Sequence, residues 1–506
     1  MKGISGVTLK GTQALPVEVE VEITGGLFSI TIVGLPDTAV KEARERVRAA
    51  LRGIGLTLKG RIAINLAPAD LPKEGALLDL PMAIGLACAS GKVEGAGALF
   101  MGELALDGRL RWIRGAVPAA VLAKELDVPL YVPKENESEV ALVAGVRAYA
   151  VETLLDLMLH LAGEKPLPPV EGGSFADNEL DVEVDLADVK GQFAAKRALE
   201  IAAAGHHNLL LTGSPGSGKT LLARALKGIL PPLSDEEMME VLLVRSTAGL
   251  PLESGRTRPF RTAHHTASAV AICGGGASMR PGEITLGNRG VLFMDEFPEF
   301  SRDVLESLRQ PLEDGTITVS RAAGSVTYPA RVLLVTACNP CPCGFSGDPV
   351  EQCRCTPQAL DRYQRKLSGP ILDRIDLHVA VPRLNPEELV SLDGDGGEAS
   401  ETVRRRVQAA RERQRERWLE LGYNCNAELP EKVLRKRLGM EPDVKPFLAQ
   451  TIKGLRLSGR GFSRVLRVAR TIADLEGVDN ISVHHVAESL SYREGEAFAT
   501  PAWRRV

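Results

Sequence analysis

The sequence contains no long apolar run. Nothing in its 506 residues approaches the roughly 20 consecutive apolar residues that a membrane-spanning helix requires, and Met1–Gly6 lacks the character of a signal peptide. Both absences lead to the expectation of a cytoplasmic chain with no membrane partner. There is no surplus of positive charge either: 61 Lys and Arg face 65 Asp and Glu, for a net charge of -4. That excludes a general attraction to nucleic acid, so any DNA-binding site has to be a local patch. Cysteine is scarce, at eight residues, and in a reducing compartment these are not expected to form structural disulfides. Five of the eight nevertheless crowd between Cys338 and Cys355. The rest of the composition is ordinary, with 44% hydrophobic and 25% charged residues, and the length suits roughly two to four domains with a large core.

The chain is organised around Gly213-Ser214-Pro215-Gly216-Ser217-Gly218-Lys219-Thr220. This stretch fits G-x-x-x-x-G-K-[ST], the phosphate-binding P-loop. Asn208–Thr212 before it is short and apolar like a buried strand, and Leu221–Leu226 after it reads as a helix. Glycines in such a turn let backbone N–H groups close around phosphate oxygens, and the helix N-terminus adds its positive dipole. Lys219 is then expected to reach the β- and γ-phosphates of ATP, and Thr220 to hold Mg2+. The second anchor is Val291–Met294 followed by Asp295-Glu296, an apolar strand that delivers two acids at its C-terminal edge, where α/β sheets bind ligands. Asp295 would complete the Mg2+ shell with Thr220, and Glu296 would orient and polarise the attacking water.

Residues 1–162 read as α/β. Val17–Ile23 alternates with period two, as a half-buried strand does, and Phe28–Val33 and Arg61–Leu66 are further strands. Asp37 is placed to cap a helix that presents Val40, Val47 and Leu51 to a core, with Gly53 at its end. Pro72-Lys73-Glu74-Gly75 and Gly102-Glu103-Leu104-Ala105-Leu106-Asp107-Gly108-Arg109 together resemble the proteolytic domain of Lon. Aligned on those anchors, Leu77 stands where that family has its serine nucleophile and Val117 where it has its lysine base. Neither side chain can do that chemistry, so the resemblance implies the fold and denies the peptidase activity. Residues 163–185, with Lys165-Pro166-Leu167-Pro168-Pro169 and Gly172-Gly173-Ser174, read as a linker.

The core proper spans 186–385, opening with a helix across Gln192–Ala204. Arg331–Thr336 is another apolar strand, ending near Asn339. In AAA+ ATPases an asparagine at the end of such a strand senses the γ-phosphate; a turn residue before Pro340 is the alternative. Leu372-Asp373-Arg374-Ile375-Asp376 resembles the segment that supplies an arginine finger to the neighbouring subunit's nucleotide in ring-forming AAA+ proteins. A local ion pair of Arg374 with Asp373 or Asp376 is the alternative. From 386 to 506 the chain reads as a helical lid. Asp393–Gly397 is a loop, and Val403–Leu421 is an Arg-rich helix whose charges read mostly as a solvated face. Leu457–Arg464 opens a further helix where an AAA+ lid carries a second sensor arginine, in contact with the γ-phosphate of its own subunit. Arg460 is the candidate, with Arg464 as the alternative.

Two regions have the chemistry to touch a polymer. Leu312–Ala330 reads as a hairpin with Arg321 near its tip, and the stretch between the two anchors carries Arg256, Arg258, Arg261, His264 and His265. Cations on loops lining a channel bind phosphates without reading sequence; pairing of these arginines with nearby acids is the alternative. Cys341-x-Cys343 and Cys353-x-Cys355 form two pairs with the ligand set of a closed, tetrahedral structural zinc site; free thiols are the alternative.

Taken together with Arg258–His265, Pro281–Ile284, Leu308–Glu313 and Asn339–Gly344, these motifs resemble the magnesium-chelatase-like AAA+ ATPases of the competence protein ComM (YifB) group. The resemblance covers nearly the whole chain. It implies an α/β P-loop core with a Lon-like domain before it and a helical lid after it. It also implies a hexameric, ATP-hydrolysing ring with ATP and Mg2+ as cofactors, driving branch migration of DNA in natural transformation or recombination. A protein-remodelling chaperone, the motor subunit of a magnesium chelatase, and a nucleotide-gated scaffold are the competing readings.

Overall fold

The alternating Val17–Ile23 segment lies inside a long strand of a mixed sheet, in a computed structural model that describes residues 4–494 apart from 74, 96, 176–181, 253–254, 277–278, 322–323, 367–368, 385–396 and 456–457. The strands of the first region are β1 (Ile4–Lys10), β2 (Gln13–Thr24), β3 (Ser29–Val33), β4 (Arg61–Ala67), β5 (Leu99–Phe100), the small hairpin of β6 (Glu103–Leu104) and β7 (Leu110–Arg111), β8 (Leu130–Pro133) and β9 (Ala148–Val151). Seven of them form one sheet ordered β3-β4-β2-β1-β5-β8-β9. The helix Thr38–Gly53 begins where Asp37 Oδ1 accepts the Val40 amide at 2.7 Å, and it buries Val40, Val47 and Leu51. The helix Asp79–Ala89 is apolar around most of its circumference and is buried along its length, as a helix enclosed by other elements must be.

The second region contributes β10 (Leu209–Thr212), β11 (Phe260–Ala263), β12 (Val291–Met294), the antiparallel hairpin of β13 (Thr316–Arg321) and β14 (Gly324–Pro329), β15 (Leu333–Cys338) and β16 (Leu377–Ala380). Outside the hairpin these strands form a wholly parallel sheet ordered β11-β12-β15-β10-β16. β10, β12 and β15 are buried at every residue, which is why they read as unbroken apolar runs rather than alternating ones. The chain is therefore an α/β protein, with a P-loop sheet followed by helices.

Those last helices include Ser400–Trp418, Val444–Leu455, Gly459–Glu476 and Val483–Glu494. The Arg-rich helix Ser400–Trp418 departs from the solvated face expected of it. Arg404 donates to Gly228 O and Arg411 to Ala203 O, each at 3.0 Å, while Arg406 pairs with Glu200 and Arg417 with Asp474, each at 2.6 Å. Its arginines thus cap carbonyls and acids of other helices, partners too far along the chain for local patterning to reveal. Within the linker, Val170 N donates to Ala148 O of β9 and Gly173 N to Ala141 O at the end of the helix Glu137–Ala141, each at 2.8 Å. Most of the loop expected over Asp393–Gly397 lies outside the described residues, as does position 457.

The two sheets are joined through an apolar contact. Leu77 and Val117, both buried, share one cluster with Leu233, Met238, Val241 and Leu242 around the helix Asp235–Ala248. Val117 N donates to Ser246 Oγ at 3.2 Å and Gly115 N to Ser246 O at 2.9 Å. Among the described residues, no helix is long and apolar enough to cross a membrane.

Candidate nucleotide site

Where β10 ends, the chain turns through Gly213–Gly218 into the helix Lys219–Ile229. Gly218 sits at the helix N-cap with φ of 93°, and Gly216 at 77°, conformations that favour glycine. At Gly213 the need is space: a Cβ would come 2.2 Å from Val381 O. Lys219 Nζ donates to Gly213 O at 2.7 Å, Ser214 O at 2.9 Å and Asn339 Oδ1 at 3.2 Å. Burial lowers the Lys219 pKa, opposed by the charge of Asp295. Thr220 Oγ1 donates to Asp295 Oδ2 at 3.0 Å, and Asp295 Oδ1 accepts the Glu296 amide at 2.8 Å. Glu296 has left the strand with φ of 50°, a sparsely populated conformation of the kind that clusters at functional sites.

One cleft of about 630 Å3 is lined by Pro215–Leu221, Thr262–His265, Asp295, Glu296 and Asn339. The residues present fit ATP and Mg2+. Among the described residues, the lysine is satisfied by neutral oxygens that a phosphate would outcompete, and Ser217 Oγ is buried with no partner. Thr220 and Asp295 already share a hydrogen bond across the place where a cation-binding hydroxyl and carboxylate are needed.

Three of the basic candidates for polymer contact, Arg261, His264 and His265, stand beside this loop. Arg261 makes a two-point pair with Glu283, at 2.7 and 3.0 Å. His264 Nδ1 lies 2.8 Å from Thr266 Oγ1, and His265 Nδ1 lies 2.9 Å from Glu296 Oε2. Both histidines line the nucleotide cleft, and Arg256 and Arg258 pair with Asp235 and Glu237. Arg261 and His265 thus meet acids distant in sequence, whereas the His264 side chain bonds to its near neighbour Thr266. Arg321 ends β13 opposite Gly324.

Arg374 is buried against the Glu313 carboxylate at 2.8 Å. Asp376 pairs with Arg464 at 2.5 Å, and Arg464 also donates to Arg374 O at 3.0 Å. Arg460 reaches the same Glu313 at 3.4 Å. All three arginines stand at the edge where β10 and β16 begin, since Asp376 accepts the Asn208 amide at 3.0 Å. The phosphate loop stands where β10 ends. Arg460 and Arg464 therefore stand at the sheet edge opposite the phosphate loop. Burial would raise the Asp376 carboxyl, but Arg464 and His207 hold it well below the carboxylate range.

The four cysteines come together. Cys341 Sγ lies 3.3 Å from Cys343 Sγ and 3.7 Å from Cys353 Sγ, Cys343 and Cys353 are 3.6 Å apart, and the Cys343 amide donates to Cys355 Sγ at 3.4 Å. All four sulfurs lie within 4.8 Å of one another, a donor set that fits a tetrahedral thiophilic ion.

Sequence reasoning missed two features. Gln192 Nε2 donates to Pro382 O at 2.7 Å and to Ser217 O at 3.4 Å, tying the opening helix to the phosphate loop. Its φ of 54° carries no sequence signature. The other is the lock of Asp376 with Arg464, whose residues lie in separate motifs.

Comparison with known proteins agrees with this geometry. Residues 185–389 match the family described as magnesium chelatase, subunit ChlI, and residues 19–136 and 397–493 match the descriptions of further ChlI segments. The chain is 44% identical over 493 residues to competence protein ComM of Haemophilus influenzae, covering 96% of this chain and 95% of that one. It is 45% identical over 491 residues to YifB of Escherichia coli, with the same coverage. A magnesium-chelatase 67 kDa subunit of Heliobacterium mobile is 26% identical over 260 residues, covering 44% of this chain and 37% of that protein.

Proposed function

Since the chain belongs to the ComM/YifB group of magnesium-chelatase-like AAA+ proteins, we propose that it is a ring-forming motor, most simply a hexamer, that hydrolyses ATP to move branched or single-stranded DNA. The observation that carries the reading is the convergence of Lys219, Thr220, Asp295, Glu296 and Asn339 on one cleft, with Arg374 at the opposite edge of the same sheet. Lys219 binds phosphate, and Asn339 fixes the ammonium. Glu296, steered by His265, takes the role of orienting water. Thr220 and Asp295 would hold Mg2+, which when bound would supply charge neutralisation on the phosphates.

Arg374 cannot serve the cleft of its own subunit from the far sheet edge, so a neighbouring subunit's cleft is its natural target. Arg460 and Arg464 share that edge and act with it. The similarity to a competence protein supports DNA as the polymer. The magnesium-chelatase subunit matches over less than half of the chain, whereas the similarity to the competence protein runs over nearly all of it, which favours the motor reading over a chelatase subunit. The first region is read as a Lon-like fold without peptidase function, its Leu77 and Val117 serving as a docking surface for the motor. Zinc is the ion proposed for the cysteine knot, in a structural role. Arg321 remains the candidate DNA contact, on the hairpin.

The test is ATP hydrolysis by the purified full chain with and without single-stranded or forked DNA, beside Glu296→Gln. Stimulation by DNA, abolished in the variant, is expected. Hydrolysis indifferent to DNA would redirect the search to protein substrates.

A further inference from the structure

The cysteine knot is stitched to the nucleotide cleft on both of its flanks. Before it, Cys338 O accepts the Gly213 amide at 3.2 Å, and Asn339 Oδ1 holds Lys219. After it, the helix Pro357–Lys366 returns Tyr363, whose hydroxyl donates to Asn339 O at 3.0 Å. Within the knot, Gly344 packs so close to the phosphate loop that a Cβ there would come 2.6 Å from Pro215 Cδ. Asp348 Oδ1 accepts the amides of Val350 and Glu351, each at 2.9 Å. Asp348 Oδ2 is buried without a hydrogen-bond partner among the described residues.

Residues 339–356 contain no helix or strand. Such a loop needs a cross-link to keep one shape, and closing it with an ion removes freedom that the open chain would otherwise retain. Resting on the reading of the knot as a metal site, we propose that the bound ion braces the nucleotide site. It keeps Ser214, Pro215 and Asn339 in register, so nucleotide affinity depends on occupancy of the knot even though no cysteine lines the cleft.

The experiment uses the full chain. Metal content is measured by elemental analysis, and binding of a fluorescent ADP is titrated before chelation, after it, and after zinc is restored, with far-UV circular dichroism as the check on folding. Loss of one ion per chain should weaken nucleotide binding about tenfold, the scale of one hydrogen bond to a charged group, and zinc should restore it. An ion that is removed with no change in affinity overturns the brace and leaves the metal site standing. A chain that binds no ion overturns both. If the stripped protein unfolds, Cys353→Ser decides, since Cys353 is the exposed member of the four and its loss weakens the hold on the ion without disturbing the buried core. A folded variant that has lost the ion and binds nucleotide about tenfold more weakly supports the brace, and one that has lost the ion with unchanged binding overturns it.

Discussion

His265 Nδ1 lies 2.9 Å from Glu296 Oε2, which places an imidazole on the carboxylate expected to orient the attacking water. Because Glu296 has left the strand in a left-handed conformation, its direction depends on such partners. His265→Ala should lower kcat for ATP by about tenfold or more, part of the range that general acid–base catalysis supplies, with little change in nucleotide affinity. His265→Gln, which retains a hydrogen-bond donor, should recover part of the loss. An equal fall in affinity would assign His265 to binding instead.

Lys219 and Asn339 are predicted to separate in their effects. Lys219→Ala removes the charge facing the phosphates and should abolish measurable nucleotide binding. Asn339→Ala removes only the oxygen that accepts from Lys219 Nζ at 3.2 Å and should lower turnover more than affinity. Equilibrium titration of a fluorescent nucleotide beside steady-state kinetics distinguishes the two.

Arg374 offers a test of shared sites. Arg374→Ala and Glu296→Gln should each be inactive alone. A mixture should regain part of the activity, because a neighbour's intact Arg374 can face an intact Glu296. Since Arg374 is buried against Glu313, a thermal melt of the variant must accompany the assay. A folded pair with no recovery on mixing would place both residues' roles in one subunit.

The nucleotide motifs were legible because their signals are local: β10 and β12 are short apolar runs, each ending in residues with one chemistry. The pairings across the chain were not. The partners of Arg261 and His265 could not be read because Glu283 and Glu296 meet them only in the fold. The arginines of Ser400–Trp418 looked solvated because Glu200 and Asp474 stand on other helices. The far-edge position of Arg460 and Arg464 required the strand order, which no spacing encodes.

The lock between Asp376 and Arg464 carries a pH dependence. The folded carboxyl lies below its ordinary value, so its contribution is present above the unfolded pKa of about 3.9 and is lost as pH falls below it. Asp376→Asn should destabilise the chain by about 3 kcal/mol near neutrality, the scale of a broken buried pair. The gap in thermal stability between wild type and variant should narrow below about pH 4. A gap that does not change with pH would mean that Asp376 acts by shape and not by charge.

ATP turnover in this cleft is expected to move DNA. This is tested most directly with a synthetic four-way DNA junction, the purified full chain and ATP, beside Glu296→Gln. Movement of the branch point that requires ATP and is lost in the variant is the predicted result. Active hydrolysis that leaves the junction in place would contradict it.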